Sequence, residues 1–442
     1  MDEERSPRAG QQVEQGDHIG GIRKSSPHRG AKSSLSPPAS RLWNANFLLL
    51  WQGQLVSAIG DVTYEIALGF WILAVTGSTA LMGTLMAVSM IPRVLLTPLA
   101  GVWVDRGNRK SIMVGMDALR GTVVVLVAAA ALGGWIEIWM VFAAGIVIGA
   151  AAAAFNPTVQ SIIPDIVPRD RLVQGNSFFS MIRAGSGILG NSLGGLLYTT
   201  LGAPLMFLVN GLSYLLSAGT EQIIRVPPVQ HSGPKSQFFA DLKAGLRFVW
   251  SSSGLRALML VAAILNFFAM VGIVLILPLF QRTEGLGPVR YGIFMAIYTG
   301  AMLLGMVFTA SIKISDTLRY PFFILGILIT SVSFTLVPVW TVFPLMVALA
   351  AVGGFANAII NVLLQSVIQL TTPQDMRGKV MGFLEALTGG LMPIGMAVGG
   401  LLGEFLPLRL IISLAFAIAG LVGTPPLLNP GIRRFFRSEE RS

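Results

Sequence analysis

Long apolar runs separated by short polar breaks dominate the chain. Such runs occur twelve times, at 46–73, 80–104, 111–133, 136–157, 175–199, 203–223, 257–281, 289–312, 319–339, 342–369, 379–403 and 407–428. A helix of roughly 20 apolar residues crosses the hydrocarbon core of a bilayer, so each run is long enough to span. The pattern predicts an all-α membrane protein with twelve transmembrane helices.

Composition agrees with that pattern. Hydrophobic residues make up 53% of the chain and charged residues only 12%, so a water-soluble fold would expose a large apolar surface. The absence of cysteine excludes disulfides and thiolate metal sites, and the three histidines lie outside the predicted spans. No nucleotide-binding loop or nucleophile–base motif is present between the runs, so we do not expect an enzyme or a cofactor.

The positive charges that give the chain its net charge of +10 are concentrated on one side of the predicted membrane topology. Of the 31 Lys and Arg residues, 25 fall in the two tails and alternate loops, and three fall in the remaining loops. This asymmetry follows the positive-inside rule and places both termini in the cytoplasm, as expected for a multi-pass protein of the cell inner membrane. The basic charge therefore predicts contact with anionic inner-leaflet lipids and not with nucleic acid.

An internal repeat divides the chain. The second half repeats residues of the first at an offset of 205: Asn156, Gln160, Ser161, Pro168, Asp170, Phe178, Gly185, Gly190, Gly194 and Gly195 recur as Asn361, Gln365, Ser366, Pro373, Asp375, Phe383, Gly390, Gly395, Gly399 and Gly400. Spans four and five thus correspond to spans ten and eleven. Parallel repeats of this kind place a substrate site near the midplane between the halves.

The repeat predicts two six-helix halves, at 44–224 and 257–428. The connection at 225–256 is basic and contains an apolar pattern typical of an amphipathic helix on the inner leaflet, where it would tether the halves. Residues 1–43 are rich in Ser, Pro, Gly and mixed charge, so we expect a disordered cytoplasmic tail. A second cytoplasmic tail occupies 429–442, and we expect a monomer.

The loop GVWVDRGNRK at 101–110 places one acid among three cations between spans two and three. It resembles the loop 2-3 signature of the major facilitator superfamily, from which Gly107 and Asn108 depart slightly. Further motifs resemble the drug:proton antiporter-3 branch, especially macrolide efflux proteins. They are Ser57-x-x-Gly60-Asp61, Thr76-Gly77-Ser78, Asp117-x-x-Arg120, Asn156-Pro157, Arg225-Val226-Pro227, Arg377-Gly378-Lys379-Val380 and Met392-Pro393-Ile394-Gly395.

The resemblance implies a gating role for the loop. Asp105 would accept backbone hydrogen bonds at the start of span eleven, near Arg377, because helix N-terminal amides favour an anion. Arg106, Arg109 and Lys110 would pair with acids of neighbouring helices or with lipid phosphates, and Gly101 would allow close helix approach. The alternative is a generic positive-inside loop.

Glycines recur in spans five and eleven at spacings that allow close helix packing: Gly185, Gly190, Gly194, Gly195, Gly395, Gly399 and Gly400. The stretch ending at Gly195 resembles a motif associated with exporters, but Asn191 stands where that motif has proline. Without the proline there is no kink. Tight packing and a role in blocking inward release both remain open for these glycines.

Charged side chains inside spans are costly and therefore candidates for function. Seven lie more than two residues inside a predicted span: Asp61, Glu65, Arg93, Asp117, Arg120, Arg183 and Glu385. Asp61 and Arg93 each lie 16 residues from Gly77, so an ion pair between them is expected, and Asp117 and Arg120 can neutralise one another.

Four acids against three arginines leave one acid in excess, and a carboxyl group in a low dielectric favours its neutral form. We expect Glu65 to carry the transported proton, because it lacks a partner at its depth. The alternative is a static network of Asp61, Arg93 and Arg120 that stabilises the first half.

The remaining candidates line an apolar, aromatic cavity. They include Tyr64, Trp71, Asn266, Phe267, Tyr298, Asn357 and Asn361, a set suited to loose binding of amphipathic molecules. The leading prediction is a proton-driven exporter of hydrophobic or amphipathic compounds such as macrolides, acting by alternating access. A siderophore exporter, a lysophospholipid transporter with a lateral opening between spans, or an importer would share most of these features.

Overall fold

The computed structural model describes residues 42–226 and 238–424 together with residue 436. Within these residues the secondary structure is helical. The α-helices are α1 (Ala45–Thr76), α2 (Thr79–Arg106), α3 (Arg109–Leu132), α4 (Ile138–Ile166), α5 (Leu172–Glu221), α6 (Phe238–Ser251), α7 (Ser253–Ile273), α8 (Ile276–Arg282), α9 (Gly287–Ser311), α10 (Asp316–Leu336), α11 (Phe343–Thr371), α12 (Arg377–Phe405) and α13 (Leu408–Gly423).

The twelve predicted spans are present. Ten helical stretches of the described chain are long and apolar enough to cross a membrane, one of them with 53 residues, and α13 is a shorter apolar helix. The 53-residue stretch holds two spans, because Gly202 interrupts α5 with φ 73° and ψ 167° and Pro204 follows it. Together α7 and α8 form one span, so the prediction of an all-α, twelve-helix fold is confirmed.

Side-chain caps set several helix ends. Asn44, Ser78 and Asn108 cap α1, α2 and α3 by accepting hydrogen bonds from backbone N–H groups three residues on, which satisfies amides that the helix leaves unpaired. Gly77 ends α1 in the left-handed region at φ 67°, a conformation that glycine adopts without strain. Asn108 departs from the family motif but has this capping role.

One helix end differs from the prediction. The fourth span was expected to stop at 157, but α4 continues to Ile166 with Pro157 and Pro164 inside it. Proline removes one backbone hydrogen bond each time but does not by itself end a helix that packs on its neighbours. Here α4 packs along both α2 and α3.

The two halves have corresponding packing. In the first half, α5 packs on α1 and α3, and α2 packs on α4; in the second, α12 packs on α7, and α9 packs on α11. Across the halves, the main contacts join α2 to α12 and α5 to α9. We call the side of the bundle on which α1 begins the termini side, and the side on which it ends the Gly77 side.

Repeat-related glycines occupy equivalent environments. A Cβ atom on Gly194 would meet Ile66 of α1, and one on Gly399 would meet Val271 of α7, so both pack within their own half. Gly195 instead packs across the halves against Val289 of α9.

Gly400, the repeat equivalent of Gly195, likewise packs across the halves, against Gly83 of α2. The 205-residue repeat is thus reproduced in three dimensions. Gly190 packs on α1 and Gly395 on α7, again as equivalents.

The closest packing between the halves lies on the Gly77 side. A Cβ atom on Gly83 would lie 2.5 Å from the carbonyl oxygen of Met396 and 2.8 Å from the Cα of Gly400. On the termini side, Cβ atoms on Gly101, Gly378 and Gly382 would meet no atom within 4 Å, and neither would one on Gly185, halfway along the first span of α5. The close helix approach expected at Gly101 and Gly185 is therefore not made in this conformation.

A helix, α6, lies in the connection between the halves. Lys379 at the start of α12 forms an ion pair with Asp241 (3.4 Å), and Val249 is buried against the second half. The helix is thus docked on α12 instead of lying only on the leaflet, although Leu246 and Trp250 remain exposed. Most of both predicted tails and residues 227–237 lie outside the described residues.

Candidate functional site

A cluster of ionisable side chains is buried inside the first half. Asp117 and Glu221 are fully buried, and Arg120 is 4% exposed. Arg120 pairs with Asp117 one turn away on α3, as the three-residue spacing predicts. A buried charge is tolerated only when it is paired and hydrogen-bonded, so these contacts are a condition for the fold.

Arg120 is also held by two aromatic rings. Its guanidinium carbon lies 4.0 Å from the ring centroid of Phe155 on α4 and 4.5 Å from that of Tyr214 on α5. A planar cation on aromatic faces is stabilised by the ring quadrupoles, most strongly where water is excluded. Arg120 therefore joins α3, α4 and α5 at one point.

Asp61 belongs to the same cluster. The hydroxyl of Tyr214 donates to its carboxylate, while the side-chain nitrogen of the neighbouring Asn210 is buried without an acceptor. The expected ion pair with Arg93 is not formed within 4 Å, so that prediction is wrong. Asp61 contacts the polar face of α5 instead. Arg93 acts on the Asp61 carboxyl group only through longer-range electrostatics.

Glu221 is the member of the cluster that sequence reasoning missed. Glu221 is the last residue of α5 and precedes a basic loop, so its sequence position indicates a solvated acid at the end of a span. Ser217 donates to its Oε1 atom (3.3 Å), and its carboxyl group is in hydrogen-bonding reach of Asp117. The available signal was its spacing, because Asn210, Tyr214, Ser217 and Glu221 fall on one helical face.

The other charged residues of the spans are accessible. Glu65, Arg93, Arg183 and Glu385 are exposed, and among the described side chains none of them has an oppositely charged partner within 4 Å. Glu65 follows the buried Tyr64 and interacts electrostatically with Asp61, Arg93 and Tyr291 of the second half. The seven residues predicted as one network therefore divide into a buried and an accessible group.

A cavity of about 120 Å³ lies inside the second half. It is bounded by residues of α7, α9, α10, α11 and α13, with polar groups from Asn266, Tyr298, Thr330, Ser331, Asn357 and Asn361. The amide of Asn361 donates to Oδ1 of Asn357 (3.0 Å), and that of Asn266 donates to the Ala262 carbonyl (2.9 Å). Four predicted residues from three spans, Asn266, Tyr298, Asn357 and Asn361, are thus brought together.

Three aromatic predictions have a different outcome. Tyr64 and Trp71 are buried in the core of the first half, where both pack against Phe207 with centroid distances of 5.2 and 6.4 Å. They do not line an open cavity, because the face of α1 that carries them meets α5. Phe267 packs against Phe268 at the edge of the core and is not part of the cavity wall.

The loop between α2 and α3 is tied to its own half. Arg109 forms an ion pair with Asp165 at the end of α4 (2.7 Å) and donates to the Ser161 carbonyl (3.2 Å). Arg377 donates to the Thr372 carbonyl (3.1 Å) in the second half. Arg106 is exposed and Lys110 is partly buried.

The side chain of Asp105 lies outside the described residues, so its predicted contact with α12 stays a prediction. Among the described residues, no group of three His, Cys, Asp or Glu side chains is placed to hold a metal ion. The ionisable groups present are suited to ion pairing and proton exchange.

Two six-span halves, related by a repeat and packed through α2–α12 and α5–α9, define a membrane transporter of the major facilitator superfamily. The Transmembrane secretion effector family matches residues 33–428, and the chain belongs to that family.

Among relatives, Macrolide efflux protein A of Streptococcus pyogenes is 26% identical over 403 residues, covering 86% of this chain and 93% of the relative. Multidrug efflux pump Tap of Mycobacterium tuberculosis is 26% identical over 395 residues, with 85% and 92% covered. The chain is therefore similar to efflux transporters of the drug branch.

The fold is similar to the crystal structure of a bacterial homologue of the human lysosomal transporter Spinster, in an inward-facing and occupied conformation. The TM-score is 0.64 at 16% sequence identity, with 88% of this chain and 95% of that chain covered. At that identity the likeness establishes the fold.

Proposed function

We propose that the protein exports hydrophobic or amphipathic small molecules from the cytoplasm in exchange for protons, by alternating access in the cell inner membrane. Both efflux relatives share most of their length with this chain, which supports the direction and the class of cargo. The transmembrane proton gradient is the energy source, and no cofactor takes part. Both termini lie in the cytoplasm, following the positive-inside rule.

The position of Glu65 is the main support for this proposal. It is an accessible carboxyl group at membrane depth, without an ion pair among the described side chains, and it interacts electrostatically with Tyr291 across the halves. An unpaired acid inside a membrane protein marks a proton or substrate pathway by default. Gain or loss of its proton changes the charge at the surface between the halves, which biases their arrangement.

The packing of the halves supports alternating access. Gly195 and Gly400 bring backbone against backbone on the Gly77 side, whereas Gly101 of α2 and Gly378 and Gly382 of α12 have free space on the termini side. With the termini in the cytoplasm, this conformation is closed outward and gives access from inside. The opposite conformation would close at the termini side, with Asp105 at the start of α12.

The cavity of the second half supports an amphipathic cargo. Its wall combines apolar residues such as Ile327 and Phe334 with the amides of Asn266, Asn357 and Asn361. A mostly apolar surface with a few placed polar groups binds molecules of mixed character. Its volume of about 120 Å³ suits one moiety of a large molecule, so the rest of the cargo would extend between the halves.

The test is proton-driven transport in proteoliposomes. We expect a pH gradient to drive accumulation of a radiolabelled macrolide by the wild-type protein, and Glu65→Gln to abolish the dependence on the gradient. Exchange of cargo without a gradient should persist in the variant, because the cavity is unchanged. Glu137→Gln is the matched control, since Glu137 is an exposed acid of a loop on the Gly77 side.

Wild-type coupling in Glu65→Gln would overturn the role of Glu65. A panel that includes a siderophore and a labelled lysophospholipid, run beside the macrolide, tests the cargo class. Transport of the lipid alone would identify the protein as a lipid transporter of the same superfamily.

A further inference from the structure

The geometry points to a buried proton-binding site formed by the carboxyl groups of Asp117 and Glu221, separate from Glu65. We infer that these two side chains share one proton in the conformation described here. This inference rests on the contacts inside the first half, and it adds a second proton site to the proposed exchange mechanism.

Unpartnered atoms indicate the proton. Asp117 Oδ2 and Glu221 Oε2 are both buried without a hydrogen-bond donor, although the two carboxyl groups are within hydrogen-bonding reach of each other. Two carboxylates have only acceptor atoms and repel at this distance. A proton on one of them donates to the other and satisfies both sites.

The charge balance of the surroundings requires the same proton. The ionisable groups that face the pair are Arg120 on α3, Tyr214 on α5 and Asp61 on α1. From α4 the side chain against the cluster is Phe155, which is uncharged. Three acids around one cation, all largely enclosed, are too negative for a low-dielectric interior, and a bound proton removes part of that excess.

The pair lies between the midplane and the termini side. Glu221 is the last residue of α5, and Asp117 is eight residues into α3, or about 12 Å from its start at 1.5 Å per residue. Asp61 lies deeper, in contact with Tyr214, which packs on Arg120. The side chains of Asp61, Tyr214, Arg120, Asp117 and Glu221 therefore form one polar row leading from the midplane to the cytoplasmic side.

In the proposed cycle, this polar row connects the proton site at Glu65 and Asp61 with the Asp117–Glu221 pair. A proton that enters at Glu65 or Asp61 is transferred to the Asp117–Glu221 pair and leaves it at the cytoplasmic side, so no other reactant is needed. The pair would hold the proton while the halves are closed on the Gly77 side. Breaking the pair should therefore slow proton release and leave cargo binding intact.

Infrared difference spectroscopy on the purified full-length protein tests the site directly. We expect a carbonyl band of a protonated carboxylic acid at neutral pH, lost in both Glu221→Gln and Asp117→Asn. Labelling with ¹³C-glutamate reveals whether the proton is on Glu221. Glu137→Gln must retain the band, and Glu221→Asp should retain it at a shifted frequency, so that at least one variant reports even if another fails to fold.

Absence of the band in the wild type, or its persistence in both Glu221→Gln and Asp117→Asn, would overturn the inference. Glu65→Gln separates this site from the proposed transport role. If the band is unchanged in Glu65→Gln while coupling is lost, both assignments stand. If coupling is also unchanged, the Asp117–Glu221 site stands and the role of Glu65 fails.

Discussion

Glu404, close to the end of α12, accepts hydrogen bonds from the hydroxyl of Ser78 (2.9 Å) and from the backbone N–H of Ala80 (3.2 Å). An acid of the second half thus caps the first turn of α2 in the first half, where the helix dipole favours an anion. The hydroxyl of Thr79 donates to the same oxygen (3.2 Å). This contact closes the Gly77 side and is the mirror image of the predicted contact of Asp105 with the start of α12.

The contact predicts that Glu404→Gln weakens closure on the Gly77 side. Spin labels at Leu201 and Val339, which are exposed residues of opposite halves on that side, should report a larger population of long distances. The chain has no cysteine, so two introduced cysteines are labelled without background. Glu284→Gln, which removes a neighbouring exposed acid, is the control, and an unchanged distance distribution in Glu404→Gln would contradict the prediction.

Gly400 sets the approach of α12 to α2. A Cβ atom there would lie 2.5 Å from the Thr79 carbonyl oxygen and 2.8 Å from the Cα of Gly83, which are backbone atoms that cannot turn away. Gly400→Ala should therefore cost about 1–3 kcal/mol in this conformation and shift the same spin-label pair to longer distances. Gly390→Ala is the control on the same helix, since its Cβ meets open space.

If both alanine variants leave the label distances unchanged, Gly400 is not a contact that controls closure. If both shift them equally, the effect comes from the helix backbone and not from the contact with α2.

Arg120 neutralises the buried acids, so its removal should be costly. Arg120→Met leaves Asp117 without its cation, and loss of one partner of a buried ion pair costs about 3–5 kcal/mol. Arg120→Lys should recover only part of this, because an ammonium keeps the charge but not the planar contact with Phe155 and Tyr214. Thermal unfolding in detergent, followed by size-exclusion chromatography, measures both losses.

Arg183→Gln is the matched control, because Arg183 is exposed and its guanidinium is hydrogen-bonded only to Ser180 among the described residues. Equal loss of stability in Arg183→Gln and Arg120→Met would show that the buried ion pair contributes no more to stability than an exposed arginine does.

The spans and the repeat were readable from the sequence because both depend on features local to the chain. Apolar length alone predicts a span, and the 205-residue offset predicted that Gly195 and Gly400 are equivalent, as the structure shows.

Partners across helices were not readable. Asp61 was assigned to Arg93 by depth, but Tyr214 on a distant span reaches it. The polar face of α5 that carries Tyr214 can be read from its spacing, but the spacing does not say which helix that face meets. Burial of Tyr64 was missed for the same reason, since an aromatic residue in an apolar helix has the same sequence signature whether it faces a neighbouring helix or a cavity.

The amides of the second-half cavity predict a cargo preference. Asn266→Leu and Asn361→Leu keep the size of each side chain but remove its hydrogen-bonding groups from the cavity wall. Since a hydrogen bond contributes about 0.5–1.5 kcal/mol, binding of a hydroxyl-rich macrolide should weaken by up to about tenfold. Binding of a flat aromatic cation without hydroxyl groups, such as ethidium, should change much less.

Equilibrium binding to the purified protein, measured by scintillation proximity for the macrolide and by fluorescence for ethidium, checks this difference. Thr335→Val is the control, because its hydroxyl bonds to the Ser413 carbonyl (3.4 Å) in the same half and is not part of the cavity wall. Equal losses for both ligands would mean that the asparagines support the helices of the second half and do not recognise cargo, since a structural change would not distinguish a hydroxylated ligand from an apolar one.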